Sequence, residues 1–321
     1  MDAGQNDGLS VVVPAFNEAG GVKAVLDRLS ETLGSGFSMD HEIIVVDDGS
    51  TDGTSKIAEE AGNVTVLRHE QNRGYGAALK TGITRARYCL VCITDADGTY
   101  PVERIPDLIA RMAEKKCDMV VGARTGEAVD IPFVRRPVKW VIRKLACFVS
   151  GVSIPDLNSG LRVFATDTCR RFFSILPDGF SFTTTITLAM LQSGHLVEYV
   201  PIDYSKRVGV SKIRPVRDVL SFFQLVLSMA LYFAPLKVFL PLSGILALVG
   251  VGWGLFSHWF LGQFADASTL IIVMTAVQVA MLGMLAELIN RRVPHVYSRT
   301  PNIRLRSEAT AGQAEPRTRR P

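Results

Sequence analysis

Residues 238–262 contain no Asp, Glu, Lys or Arg, and residues 268–286 form a second run of the same kind. A helix of about 20 apolar residues crosses the roughly 30 Å of bilayer hydrocarbon, so this pair reads as a two-helix transmembrane hairpin over residues 237–290. Lys237 precedes the first run and Arg291 and Arg292 follow the second, while the connecting segment 263–267 carries only Asp266. The bias of Lys and Arg toward the cytoplasmic side then places both flanks in the cytoplasm. Residues 219–236 are also uncharged and contain Pro235. If they spanned, Arg291 and Arg292 would face outward against that bias, so residues 218–236 are expected as an amphipathic, interfacial helix.

The rest of the chain has a different texture. At 321 residues and 48% hydrophobic content there is room for one large domain beside the hairpin. The net charge of +4 is small, but Lys and Arg gather at residues 135–144, 206–217 and 291–320. Basic islands beside apolar runs point to anionic lipid or phosphate and away from nucleic acid. The five cysteines form no disulfide framework, as expected in a reducing compartment, and Cys89 and Cys92 read as core residues of a strand. Residues 1–8 are polar, expected to be disordered, and lack the apolar core of a secretory signal. The basic tail 291–321 also reads as disordered and cytoplasmic.

Between them, residues 9–217 alternate short apolar runs with helical periodicity. Strands are expected at 9–13, 42–46, 64–67, 88–93 and 118–121, and helices at 17–33, 54–60, 77–85 and 102–115. This alternation implies right-handed crossovers and an α/β fold with a doubly wound, mostly parallel sheet. Ligands of such sheets bind beyond the carboxyl ends of the strands. Asn17-Glu18, Asp47-Asp48, Asn72-Arg73-Gly74 and Asp95-Ala96-Asp97 all follow strands. A dinucleotide-binding Rossmann site is excluded, because Gly74-Tyr75-Gly76 is followed by Leu79 where the fingerprint needs glycine, and it follows the third strand instead of the first.

Asp95 and Asp97 stand two apart after the strand 88–93, so an extended backbone would present both carboxylates on one side. Mg²⁺ or Mn²⁺ takes one or two protein carboxylates and fills its shell with phosphate oxygens and water. Taken alone, the stretch could equally be a solvated turn with Gly98 at its tip. Residues 132–150 place Arg136, Lys139 and Arg143 on one helical face and Val138, Val141, Ile142 and Leu145 largely on another, with Trp140 suited to headgroup depth. That pattern is expected of a second helix lying in the membrane interface.

The segments VVVPAFNEA (11–19), VVDDGSTDGT (45–54), NRGYGAALKTG (72–82), TDADGTYP (94–101), DLNSGLRVF (156–164) and KRVGVSKIRP (206–215) occur in the order and spacing of inverting family 2 glycosyltransferases. Over residues 9–292 the chain resembles the polyprenyl-phosphate hexosyltransferases, the dolichyl-phosphate mannose synthase and bactoprenol glucosyltransferase group. The resemblance implies a glycosyltransferase A type domain, a nucleotide-diphosphate-sugar donor and a polyprenyl phosphate acceptor. It also implies a multi-pass protein of the cell (inner) membrane with its catalytic domain in the cytoplasm, and leaves room for a homo-oligomer.

Residue roles follow from the same resemblance. Pro14, Ala15 and Glu18 would hold ribose and base. Asp48 would accept a hydrogen bond from the base, with Asp47 supporting the loop or ribose, and Arg73 and Gly74 would lie near the nucleotide. Asp95 and Asp97 would hold the metal, Asp97 acting in catalysis. Arg124, Arg207 and Lys212 would grip phosphates, Arg207 as part of the catalytic set. Asp156, Ser159 and Arg162 would form the acceptor side, with Arg162 orienting a phosphate and Asp156, counted with Asp97 and Arg207 in the catalytic set, positioning the acceptor or acting as its base. A phosphate monoester is largely ionised at neutral pH, so a phosphate acceptor needs no strong general base. A membrane-tethered transferase acting on a glycan or glycolipid hydroxyl remains the alternative, and a degenerate domain serving as membrane scaffold is the non-enzymatic one. The absence of a Gln-x-x-Arg-Trp motif and the presence of only two clear spans argue against a processive polysaccharide synthase.

Overall fold

The computed structural model describes residues 6–34, 36–124, 147, 151–203, 227, 228, 230–232, 234–261 and 267–292. The first half alternates: β1 (Asn6–Ala15), α1 (Val22–Gly34), β2 (His41–Asp47), α2 (Thr54–Glu60), β3 (Val64–Arg68), α3 (Tyr75–Arg85), β4 (Tyr88–Ile93) and, after a 3-10 turn at Val102–Arg104, α4 (Ile105–Lys115). Then come β5 (Met119–Arg124), β6 (Arg162–Ala165), α5 (Thr166–Arg171), α6 (Phe182–Gln192), β7 (Val197–Ile202) and two long helices, α7 (Pro235–Leu261) and α8 (Ala267–Arg292).

The strands form one sheet in the order β3-β2-β1-β4-β6-β5-β7. β6 runs antiparallel to β4 and β5, and the other pairings are parallel. The expected doubly wound, mostly parallel sheet is what the chain forms. Its two faces are covered separately: Val11 and Val13 pack with Leu26 and Leu29 of α1, whereas Val12 packs with Leu79 and Ile83 of α3. Burial on both faces is why these strands read as continuous apolar runs without alternation.

Several boundaries differ from expectation for local reasons. β1 begins at Asn6, which pairs with Tyr88, so Asn6, Asp7 and Gly8 belong to the sheet and not to a disordered end. β1 also continues through Pro14, because its ladder with β4 ends at Val12–Ile93 and only β2 still pairs alongside. α1 starts at Val22, since Asn17 has φ 53° and the Glu18 carbonyl accepts from the amides of Gly21 and Val22 in a turn.

α7 is 27 residues long, about 40 Å at the helical rise. Both C-terminal helices are long and apolar enough to cross a membrane. Leu248, Phe260 and Trp259 are 75%, 76% and 82% exposed, and contiguous apolar surface of this kind requires a lipid or protein cover. Ser243 Oγ donates to the Ala276 carbonyl at 2.8 Å, tying the pair together. α7 starts at Pro235, whose fixed φ suits a first helical position, so it takes in the last residues assigned by sequence to the preceding interfacial helix. Most of the expected helix 132–150, Arg207, Lys212, residues 219–226 and the tail beyond 292 lie outside the described residues.

Candidate active site

The loops after β1 and β2 are laced together by side chains. Asn17 N donates to Ser50 Oγ at 2.9 Å, and Thr51 N donates to Asn17 Oδ1 at 2.9 Å. Glu18 N donates to Thr54 Oγ1 and Ala19 N to Asp52 Oδ2, at 3.0 and 3.1 Å. Pro14 and Ala15 end β1 beneath this lacing, and the Ala15 carbonyl accepts from Asp48 N at 2.8 Å. Asp47 is fully buried and accepts from Ser50 N at 2.9 Å and from the Ser55 hydroxyl. Both contacts lie within residues 47–55.

Asp48 is turned the same way. Its carboxylate accepts from Arg73 N at 2.9 Å and Gly74 N at 2.8 Å, and His69 Nδ1 lies 2.6 Å away. An ionised carboxylate only accepts, so Nδ1 carries the proton, and Nε2 is left 2.9 Å from Thr81 Oγ1. At 3% exposure, Asp48 holds the β3–α3 turn through these contacts. Gly74 needs its glycine for φ 105° and because a Cβ there would come within 2.5 Å of the Asp178 carbonyl. The close approach that excludes a side chain is thus the 178–179 backbone; Ala77 N donates to the Asp178 carbonyl at 3.0 Å, and Lys80 Nζ donates to the Asp178 carboxylate at 2.7 Å.

Asp95 and Asp97 sit beyond β4, but the strand stops at Ile93 and Asp97 lies in a turn. Strand alternation therefore does not set their relative orientation. Asp97 Oδ1 accepts from Thr99 N at 3.1 Å and from Thr99 Oγ1 at 2.6 Å, so Thr99 braces the carboxylate. Asp95 Oδ1 accepts from the Tyr75 hydroxyl at 2.9 Å. Burial first, and then the charge of Asp95, hold the Tyr75 phenol well above its ordinary pKa. Arg28 of α1 donates to the carbonyls of Gly98 and Tyr100 and pairs with Glu103 at 2.7 Å, fixing the far side of this loop. Among the described residues no group of three or more His, Cys, Asp or Glu side chains comes together as a metal nest. Two half-buried carboxylates on a braced turn fit a hard cation whose remaining ligands are phosphate and water.

The acceptor-side expectations divide. Asp156 receives Arg124 N, Nε and one terminal nitrogen at 3.1, 2.7 and 2.9 Å. Burial would raise its carboxyl, but hydrogen bonds from Arg124 and then its charge outweigh burial and hold it below the ordinary range. Such a carboxylate is a poor general base. Ser159 and Arg162, which the resemblance assigned to the acceptor side, are 0% exposed. The Arg162 guanidinium donates to the Ser159 carbonyl, and at 2.9 Å each to the Thr183 carbonyl and Thr187 Oγ1, clamping β6 to α6.

Comparison with known proteins decides the class. Residues 10–169 match the model of glycosyl transferase family 2, and residues 234–291 match the GtrB C-terminal hairpin. A dolichyl-phosphate hexose transferase of Haloferax volcanii is 30% identical over 213 residues, covering 65% of this chain and 88% of that protein. The chain belongs to glycosyl transferase family 2. A dodecaprenyl-phosphate galacturonate synthase of Rhizobium johnstonii is 26% identical over 302 residues and is matched over 88% of both chains. The fold is shared with glucosyl-3-phosphoglycerate synthase of Mycobacterium tuberculosis, solved with Mn²⁺, UDP and product, at TM-score 0.56 and 22% identity over 70% of this chain and 79% of that one.

Sequence reasoning on this glycosyltransferase passed over Tyr75, His69, Tyr100 and Arg28. Tyr75 stood inside a motif read for its glycines, and its direction depends on where α3 begins. His69 stood outside every quoted motif, and only the tertiary fold brings it to Asp48.

Proposed function

We propose that this glycosyltransferase moves a hexose from UDP-glucose or GDP-mannose to a polyprenyl phosphate, inverting the anomeric carbon, at the cytoplasmic face of the membrane. The observation that carries this reading is that a relative named dodecaprenyl-phosphate galacturonate synthase matches 88% of this chain, a span that reaches beyond the family 2 domain into the hairpin. A polyprenyl chain leaves hydrocarbon only at high cost, so an enzyme acting on its headgroup works at the bilayer surface. The helices α7 and α8 are suited to keep it there.

Chemically, an acceptor phosphate oxygen forms a bond to C1 of the sugar as the C1–oxygen bond to the nucleoside diphosphate breaks, and the bonding pair leaves with the diphosphate. Asp95 and Asp97 would hold Mg²⁺ or Mn²⁺, which when bound neutralises charge on that leaving group. Asp48 and His69 fix the Arg73–Gly74 turn, and Pro14, Ala15, Glu18 and Arg73 border the nucleotide. Asp156 and Arg124 are committed to each other in an ion pair, so Asp156 is a poor base, in keeping with an acceptor that is already ionised. Arg207 and Lys212 remain candidates for gripping phosphates.

The acceptor class is tested by offering the purified full chain a polyprenyl phosphate or the corresponding polyprenol with a labelled donor. Lipid-linked sugar is expected with the phosphate alone. Transfer to the polyprenol, or to a glycolipid hydroxyl in its place, would select the alternative of a hydroxyl-directed transferase.

A further inference from the structure

The carboxylate of Asp95 is confined from two sides by groups that play no part in the reaction as written above. From α3, the Tyr75 hydroxyl donates to Oδ1 at 2.9 Å. From the segment before β6, the backbone of Gly160 lies so close that a Cβ there would stand 2.7 Å from Oδ2 and 2.8 Å from Oδ1. Both supports are themselves held. The Tyr75 ring stacks on Phe180 with centroids 5.6 Å apart and planes 13° from parallel. Gly160 N donates to the Tyr100 hydroxyl at 2.7 Å, and the Ser159 carbonyl next to it accepts from buried Arg162.

We infer that Tyr75 is a positioning residue for the divalent cation, its hydroxyl fixing the Asp95 carboxylate flat against the bare backbone of Gly160 in the orientation that receives the ion. A free Asp side chain loses rotamer freedom when it ligates, and a hydrogen-bonded one has lost it already. Outer partners of metal-ligating carboxylates commonly change metal affinity by about 10–100-fold. The alternative is that Tyr75 merely satisfies a buried hydroxyl, in which case its loss would leave the cation unaffected. The inference rests on the reading that Asp95 and Asp97 take the cation.

The test is Mn²⁺ binding to the full chain in detergent, followed by the free-ion electron paramagnetic resonance signal, with UDP and GDP each present in separate titrations. Tyr75→Phe removes one oxygen and keeps the ring against Phe180. It is expected to weaken Mn²⁺ about 10-fold, to raise the Mn²⁺ concentration needed for half-maximal turnover by a similar factor, and to restore kcat at saturating metal with the thermal midpoint unchanged. Gly160→Ala, which drives a methyl into the carboxylate, is expected to weaken Mn²⁺ at least as much. Wild-type affinity in Tyr75→Phe would overturn the positioning role while leaving the cation site standing. Unchanged affinity in Asp97→Asn would instead remove the cation from this loop, and the inference with it.

Discussion

Replacing Asp97 with Asn is expected to lower sugar transfer by about 10²–10³-fold at saturating Mn²⁺ while the thermal midpoint stays where it was. The substitution is nearly isosteric. An amide Oδ1 still accepts from Thr99 N and Thr99 Oγ1, so the turn that now rests on Asp97 keeps both hydrogen bonds. What is lost is the negative charge that would hold the cation against the departing diphosphate. Initial rates and thermal unfolding on the same preparation check it. A variant that keeps more than half of the wild-type rate would mean that the charge on Asp97 takes no part in the transition state.

Arg162→Met is expected to act in the opposite way, on the fold. Arg162 is fully buried, and its bonds reach the Ser159 and Thr183 carbonyls and Thr187 Oγ1. Hydrogen bonds from a charged donor contribute roughly 1.5–3 kcal/mol each, and their acceptors would be left dry. Removing the buried charge recovers several kcal/mol of desolvation, so the terms largely offset. A net loss of about 3 kcal/mol remains, a fall of roughly 10 °C in the thermal midpoint for a domain of this size. Thermal unfolding with turnover measured well below the transition separates two roles. A fall in stability with the lipid-phosphate KM unchanged identifies a clamp between β6 and α6. A raised KM at unchanged stability would return Arg162 to the acceptor phosphate, where the motif had placed it.

The contrast between these two residues marks how far the sequence could be read. Asp97 declares itself locally: an acid after a strand end, beside Gly98 and near Asp95, is a cation candidate before any fold is known. The parallel core was equally open, because Val11, Val12 and Val13 are buried on both faces and show the uninterrupted apolar run that such strands require. Arg162 gave no such sign. Its partners Thr183 and Thr187 lie on α6, about twenty positions onward, and an arginine in a polar motif looks the same whether it binds a ligand or a carbonyl. β6 was hidden for a related reason, since a four-residue strand carries too little pattern to separate from a loop, and its antiparallel direction breaks the βα rhythm. Asp48 was legible as an acid beyond a strand end but not in its contacts. These are with His69 and with the amides of Arg73 and Gly74, which meet it only once β2 and β3 are paired.

The hairpin sits between these extremes. Two charge-free runs gave its helices, while the start of α7 depended on Pro235 serving as a helix opener instead of a boundary.

The most direct test of the whole account is to incubate the purified full chain with polyprenyl phosphate and labelled UDP-glucose, GDP-mannose or a galacturonate-bearing donor, with and without EDTA. The account predicts an acid-labile, lipid-linked sugar from at least one hexose donor, abolished by EDTA and restored by Mn²⁺ or Mg²⁺. Absence of lipid-linked product with every donor, or a product formed undiminished in EDTA, would contradict it.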